Sequence, residues 1–247
     1  MKVKGWNKLQ IEQHEKAAKD LCEIKDQIFD LMGKQPEISE FEVAQFILDQ
    51  FKQRDMKTEP DIPIVAFREN TSFVHYFPTA ESAKTLKPNS LIMLDVWARM
   101  NEKGAPFADI TWMAWSGEEI PEEIQKAFDA VILSRGRGVE YIKTTKIKNL
   151  KTRDISRSMT GITLKSGMQD FIPHGFGHSL GLTTCHGNGV RLKDGSRGFL
   201  PKNIAYTIEP GIYVEGKFGV RSEIDFYVDE NGKINITTEV QKEIVRI

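Results

Sequence analysis

The chain has 247 residues, 34 Lys and Arg against 35 Asp and Glu, and two cysteines. A hydrophobic share of 40% and a charged share of 28% match a folded globular chain and exclude intrinsic disorder. The net charge of −1 speaks against a partner held through its phosphates, and no apolar run is long enough for a membrane span.

Cys22 and Cys185 cannot build a disulfide framework and fit a reducing compartment, and the polar start MKVKGWNKLQ has no apolar leader segment. The expectation is a soluble, cytoplasmic protein with neither nucleic acid nor membrane among its partners. Residues 8–32 carry Ala17, Leu21, Ile24, Ile28 and Leu31 at spacings of three and four, which predicts an amphipathic helix stopping near Gly33. Ser39 with Glu42 three residues on is a capping box, and Val43, Phe46, Ile47 and Phe51 supply the buried face of a second helix. Beyond Pro63 the texture turns to strands: Ile64–Phe67, Leu91–Trp97 and Phe107–Trp115, the last two joined by a hairpin loop over 100–106. Pro121 opens a third helix with Ile124, Ala127, Phe128, Val131 and Ile132 as its stripe, weakened in its second half by Gly136 and Gly138. A fourth helix is predicted from about Thr152, with Ile155 and Met159 turned inward. From residue 170 strands return; Asn231-Gly232 between Ile224–Val228 and Ile234–Thr237 predicts a hairpin, and Glu243–Ile247 a last strand. Helix, helix, strands, helix, helix, strands is an α+β order, and its two similar halves point to pseudo-symmetry inside one domain.

Three of the five histidines, His174, His178 and His186, fall in the stretch PHGFGHSLGLTTCHG. His174 and His178 have the i, i+4 spacing of a metal-binding helix, but Gly175, Gly177 and Gly181 favour a strand or loop that other groups can approach closely. Four acids lie inside apolar strands: Asp95 in LIMLDVWA, Asp109 in PFADITWMAW, Glu209 in IAYTIEPGIY and Glu223 in GVRSEIDFYV. Any one of them could sit on the solvent face of an alternating strand. Burying all four is costly without compensating positive charge, and a shared dication accounts for them economically. Carboxylates and imidazoles with no thiolate requirement suit Mn, Fe(II), Co(II) or Zn, and four acids are enough for two ions.

The stretches VAFRENTSFVHYFP, SLIMLDVWAR, ADITW, HGFGHSLGL, YTIEPGIY and GVRSEID, in that order over roughly residues 60–230, resemble the pita-bread metallopeptidases, which include methionine aminopeptidases, Xaa-Pro aminopeptidases and prolidases. The resemblance implies the pita-bread fold, a pseudo-two-fold antiparallel sheet with helices packed on its outer face. It implies two divalent metal ions (Mn, Co, Fe or Zn) held by Asp95, Asp109, His178, Glu209 and Glu223, with Asp109 and Glu223 bridging or chelating and His178 on one ion only. Glu209 would double as the proton shuttle. His75 would contact the substrate near the scissile amide, His174 would stand behind it or on the substrate side, and Arg221 would support Glu223 at the substrate-binding wall.

Two positions depart from the family pattern. The step from Asp95 to Asp109 is fourteen residues, longer than usual, which lengthens the hairpin between them. Cys185 holds the place where the family usually has a further histidine, with His186 one residue late. Either a bulge returns His186 to the site as a catalytic group, or Cys185 faces it as a pocket-lining thiol. Trp97 shares Asp95's side of its strand and is expected to wall the substrate pocket or to pack in the core, while Trp112 points away. EPGIY followed by the Arg-x-Glu of GVRSE resembles the Xaa-Pro branch, so the expected substrate is a peptide cleaved at an N-terminal Xaa-Pro bond. Methionine aminopeptidase specificity and a non-catalytic peptide- or protein-binding module are the alternatives. The expected organisation is one catalytic domain over 1–247 without a creatinase-type N-terminal domain, as a monomer or homodimer.

Overall fold

The computed structural model describes residues 5–167 and 171–247; residue 170, from which strands are expected, lies outside them. Helix α1 (Lys8–Lys34) is capped by Asn7, whose side chain accepts from Gln10 N at 2.9 Å while Gln10 Oε1 accepts from Asn7 N at 3.1 Å. The chain passes Gly33 and ends the helix one residue later. Ser39 caps α2 (Glu40–Gln53) through the predicted box, with Glu42 N donating to Ser39 Oγ at 3.2 Å. Strand β1 (Met56–Lys57), too short to show a period, precedes β2 (Ile64–Phe67), β3 (Ser90–Met100) and β4 (Phe107–Ser116). Helix α3 (Glu122–Thr144) runs unbroken through both of its glycines. Gly138 is there for packing: a Cβ on it would lie 2.8 Å from the Met159 sulfur of α4 (Thr152–Ser166), so the two helices meet where a side chain is missing. The remaining strands are β5 (His178–Leu180), β6 (His186–Arg191), β7 (Ala205–Ile208), β8 (Gly211–Val214), β9 (Phe218–Arg221), β10 (Ile224–Val228), β11 (Ile234–Ile236) and β12 (Val245–Arg246).

One sheet runs β1-β3-β4-β12 with β2 also on β3, and the other runs β11-β10-β7-β5-β6; β8 and β9 form a separate hairpin. All pairings are antiparallel except β12 beside β4. Strands β3 and β4 divide the molecule. Ile92, Leu94, Val96, Ala98, Ala108, Ile110, Trp112 and Ala114 join the core under α1 and α2. Leu91, Met93, Trp97, Phe107, Met113 and Trp115 face the opposite way, into the core shared with the second sheet and with α3 and α4. Asp95, Asp109 and Thr111 fall in the second phase, so the period of two that builds the core also aims these polar groups at the seam between the sheets. That seam is closed by hydrogen bonds from Phe107 N to Gly181 O at 3.0 Å and from Glu223 N to Thr111 O at 3.3 Å. Among the described residues no helix is long and apolar enough to cross a membrane.

Candidate metal centre

The β3–β4 register pairs Asp95 with Thr111 and Trp97 with Asp109, which makes the two aspartates diagonal neighbours on one face. Strand β5 brings His178, the end of β7 brings Glu209, and the turn from β9 into β10 brings Arg221 and Glu223. Gly177 makes the first of these approaches possible. Its φ is +154°, and a Cβ there would stand 2.2 Å from Thr207 O, so only glycine lets β5 run this close to β7. His178 N then donates to Thr207 Oγ1 at 3.1 Å and Glu209 N to Phe176 O at 3.0 Å, which sets the two side chains beside each other.

His178 Nδ1 lies 3.2 Å from Ser179 O, so this nitrogen carries the proton and Nε2 is left as an acceptor. Nε2 points at the acids, 3.5 Å from Glu209 Oε1 and 3.9 Å from Asp109 Oδ2. Asp109, His178 and Glu223 each offer one donor atom, all within 4.8 Å of one another. Asp109 Oδ1 and Glu223 Oε1 are buried with no hydrogen-bond partner. A buried carboxylate oxygen left so is expensive, and a cation is the group that fits it. Asp95, Glu209 and Trp97 line the same cavity of about 450 Å³.

Arg221 reaches Glu223 by way of Thr111 and also pairs with a second acid. Its guanidinium pairs with Asp95, and its Nε donates to Thr111 Oγ1 at 3.0 Å; Thr111 in turn donates to Glu223 Oε2 at 2.7 Å. Arg221 therefore pairs directly with Asp95 and supports Glu223 through a threonine and through its charge.

Burial raises the carboxyl groups of Asp95, Asp109 and Glu223 above their ordinary range. At Asp95 the Arg221 charge opposes the shift; at Asp109 the neighbouring Asp95 and Asp225 add to it, and at Glu223 so do Asp109 and Glu209. Burial likewise pushes Glu209 up to about 7 against the pull of Arg221. The same cause takes His178 down to about 3 and His174 to about 4, so both imidazoles are neutral near pH 7. Neutral imidazole and crowded acids short of positive charge together suit a divalent cation.

Cys185 and His186 both line the cavity. The β5–β6 register slips between His178 and Leu180, and beyond the Leu180–His186 pair Cys185 Sγ donates to Asp109 Oδ2 at 3.1 Å. The His186 ring stands 4.1 Å, centroid to centroid, from His178 at the cavity mouth. His75 is exposed and lines the same cavity. His174 lies in an adjoining chamber of about 570 Å³ that also touches His75, His186, Glu209 and Arg221, and its Nε2 meets Tyr213 OH at 3.2 Å. Trp112 lies on the helix side, under Lys25 Nζ at 3.7 Å from its ring centroid.

Several residues around the site carry no prediction from the sequence. Asp225 Oδ2 accepts from Asp109 N at 2.8 Å and buttresses that ligand from behind. An acid inside an apolar strand is the signal that marked the other four, and Asp225 in SEIDFYV shows it too. Arg135 of α3 reaches Ser222 Oγ, between Arg221 and Glu223. Glu40 is fully buried and accepts from Phe67 N at 2.6 Å, Asn70 Nδ2 at 3.0 Å, Tyr76 OH at 2.7 Å and Lys84 N at 2.7 Å, fastening the segment that carries His75. In the first turn of an amphipathic helix such a glutamate looks like a solvent-facing residue.

Known proteins share this fold. The profile of metallopeptidase family M24 matches residues 14–230. The uncharacterized peptidase YqhT of Bacillus subtilis is 28% identical over 235 residues, 93% of this chain and 62% of its own length. A prolidase from Thermococcus sibiricus superposes with a TM-score of 0.84 at 26% identity, over 98% of this chain and 62% of the other. A dipeptidase from Pyrococcus horikoshii superposes with a TM-score of 0.85 at 27% identity, over 98% and 64%. The chain thus spans less than two thirds of the length of each of these relatives. The fold is the pita-bread fold that the sequence motifs imply. The profile covers Asp95, Asp109, His178, Glu209 and Glu223 alike, and the chain belongs to metallopeptidase family M24.

Proposed function

We propose that this protein hydrolyses the first peptide bond of short peptides with a pair of divalent ions held by Asp95, Asp109, His178, Glu209 and Glu223, and that Xaa-Pro peptides are its substrates. One observation carries this reading: acids and an imidazole from separate strands converge on one cavity in which two carboxylate oxygens have no partner. A divalent ion bound there supplies Lewis acidity, which brings the pKa of water near neutrality and polarises a carbonyl. In this reading Glu209 takes a proton and returns it to the leaving amine. His75 and His186, which line the cavity, donate to the oxygen that gains charge as the amide carbon becomes tetrahedral. Trp97 gives the cavity a flat apolar wall suited to a pyrrolidine ring. Arg191 and Lys193 line the adjoining chamber and favour a substrate whose free carboxylate lies close to the cleaved bond. Both halves of the chain contribute ligands, so we treat 1–247 as one catalytic domain. Two structural relatives, a prolidase and a dipeptidase, support the same substrate class.

The test is to incubate the metal-loaded protein with Xaa-Pro dipeptides, longer peptides beginning Xaa-Pro, and Met-Ala-Ser, and to follow release of the first residue. Cleavage of Xaa-Pro dipeptides is expected. Preference for Met-Ala-Ser would make the specificity that of a methionine aminopeptidase. Bound metal without cleavage of any of them would make the protein a peptide-binding module.

A further inference from the structure

We propose that Arg135 is a positioning residue of the metal centre: its guanidinium fork, held on Ser222 and Gln241 at once, sets the spacing between Asp109 and Glu223. This rests on the reading of the cavity as a metal centre and extends it to a helix side chain outside the ligand set.

Position 135 falls on the inward stripe of α3, in step with Phe128, Val131 and Gly138, where the helix period calls for an apolar residue. The arginine there is only 3% exposed. Burying a charge is costly, and here its partners are two neutral oxygens rather than a carboxylate. Nη1 donates to Ser222 Oγ and Nη2 to Gln241 O. Each partner leads to a metal ligand. Ser222 lies between Arg221 and Glu223, and its N donates to Pro210 O, next to Glu209, at 3.3 Å. Gln241 grips Met113 of β4, accepting from its N at 3.0 Å and donating to its O at 2.7 Å. Strand β4 is the strand that carries Asp109. One guanidinium thus links the turn bearing Glu223 to the strand bearing Asp109, and these two acids have donor atoms within 4.8 Å of each other. On the cavity side Thr111 ties Glu223 to β4, through its O at 3.3 Å and its Oγ1 at 2.7 Å; Arg135 supplies the tie from the helix side. Glu223 Oε1 and Asp109 Oδ1 have no hydrogen-bond partner that could fix them, so their spacing depends on such ties. Lysine does not replace the arginine, because a single ammonium on a flexible stem has no rigid fork to hold both oxygens.

The experiment is titration of the intact protein with Mn(II), read by calorimetry and by electron paramagnetic resonance. Mn(II) ions that share carboxylate bridges give an exchange-coupled spectrum in place of the hyperfine pattern of isolated ions, so the spectrum reports the spacing and not the stability of the fold. The unmodified protein is expected to bind Mn(II) and show the coupled spectrum. Arg135→Lys, which keeps the charge and loses the fork, should bind Mn(II) about 10-fold or more weakly and shift toward the isolated-ion pattern. Ser222→Ala, which removes one end of the tie, should move both readouts in the same direction, and the double variant should lose less than the two single losses combined. Ser134→Ala is the control: Ser134 is fully buried beside Arg135 and its Oγ donates to Met159 O, so its loss loosens α3 against α4 without touching the turn. Both readouts should stay unchanged there. Unchanged affinity and coupling in Arg135→Lys would overturn the proposal, as would an equal loss in Ser134→Ala, and either result would leave the metal centre standing. If Arg135→Lys fails to fold, Ser222→Ala decides the point, and unchanged readouts in it overturn the proposal. No Mn(II) bound by the unmodified protein would overturn the metal centre itself and the proposal with it.

Discussion

Glu209 sits half-buried between His178 Nε2 and Thr207, where its carboxylate both meets a ligand imidazole and opens onto the adjoining chamber. A glutamine there keeps an oxygen for the metal and loses the proton acceptor. Glu209→Gln is therefore expected to retain metal by elemental analysis while turnover falls about 100-fold or more. Unchanged turnover would move the base to another residue. Asp95, Asp109 and Glu223 were legible one at a time, because a charged residue amid apolar strand neighbours is visible locally. Arg221 was legible as a partner of acids, but not which one: Asp95 is 126 positions away in the chain, and only the packing of β9 against β3 brings them together.

At the scale of elements, α2 does more than cover a sheet. Glu40 in its first turn gathers donors from Phe67, Asn70, Tyr76 and Lys84, so one carboxylate ties the helix to the segment that ends at the cavity lip. Removing it leaves several buried donors unpaired. Glu40→Ala is expected to cost about 3 kcal/mol of stability in denaturant unfolding and to raise KM through loss of order around His75. Glu40→Gln, which keeps an acceptor oxygen, should be milder on both counts. A stability loss within error for the alanine variant would show that water replaces the carboxylate. The helices were predictable because their apolar period and caps are local. The buried role of Glu40 was not, because it depends on a loop more than 25 residues downstream folding back over the helix start.

For the whole molecule, His14 is the clearest pH-dependent tie. It is fully buried in α1 and joins Phe107 O of β4 at 2.8 Å to Thr237 Oγ1 beyond β11, also at 2.8 Å. Burial holds its pKa down from 6.5 to about 4. The unfolded chain takes up a proton near pH 6.5, whereas the folded chain resists until near 4. The stability that rests on neutral His14 is complete above pH 6.5 and is lost as pH falls toward 4, by about 3 kcal/mol in all. His14→Gln should flatten this part of the unfolding free energy measured against pH. The same slope in the variant would assign the pH dependence to other groups.

The amino-acid sequence by itself determined the four helices, most of the strands and the phase that turns Asp95 and Asp109 to one face, because each follows from residues within a few positions of one another. It also marked the family motifs, whose glycines and acids are local patterns. Only the tertiary structure decided that Arg221 neutralises Asp95, that Asp225 buttresses Asp109, and that Cys185 and His186 both reach the cavity. Those outcomes depend on how β5 slips against β6 and how the second sheet meets β4. Such pairings join residues distant in the chain, and no local period records their register.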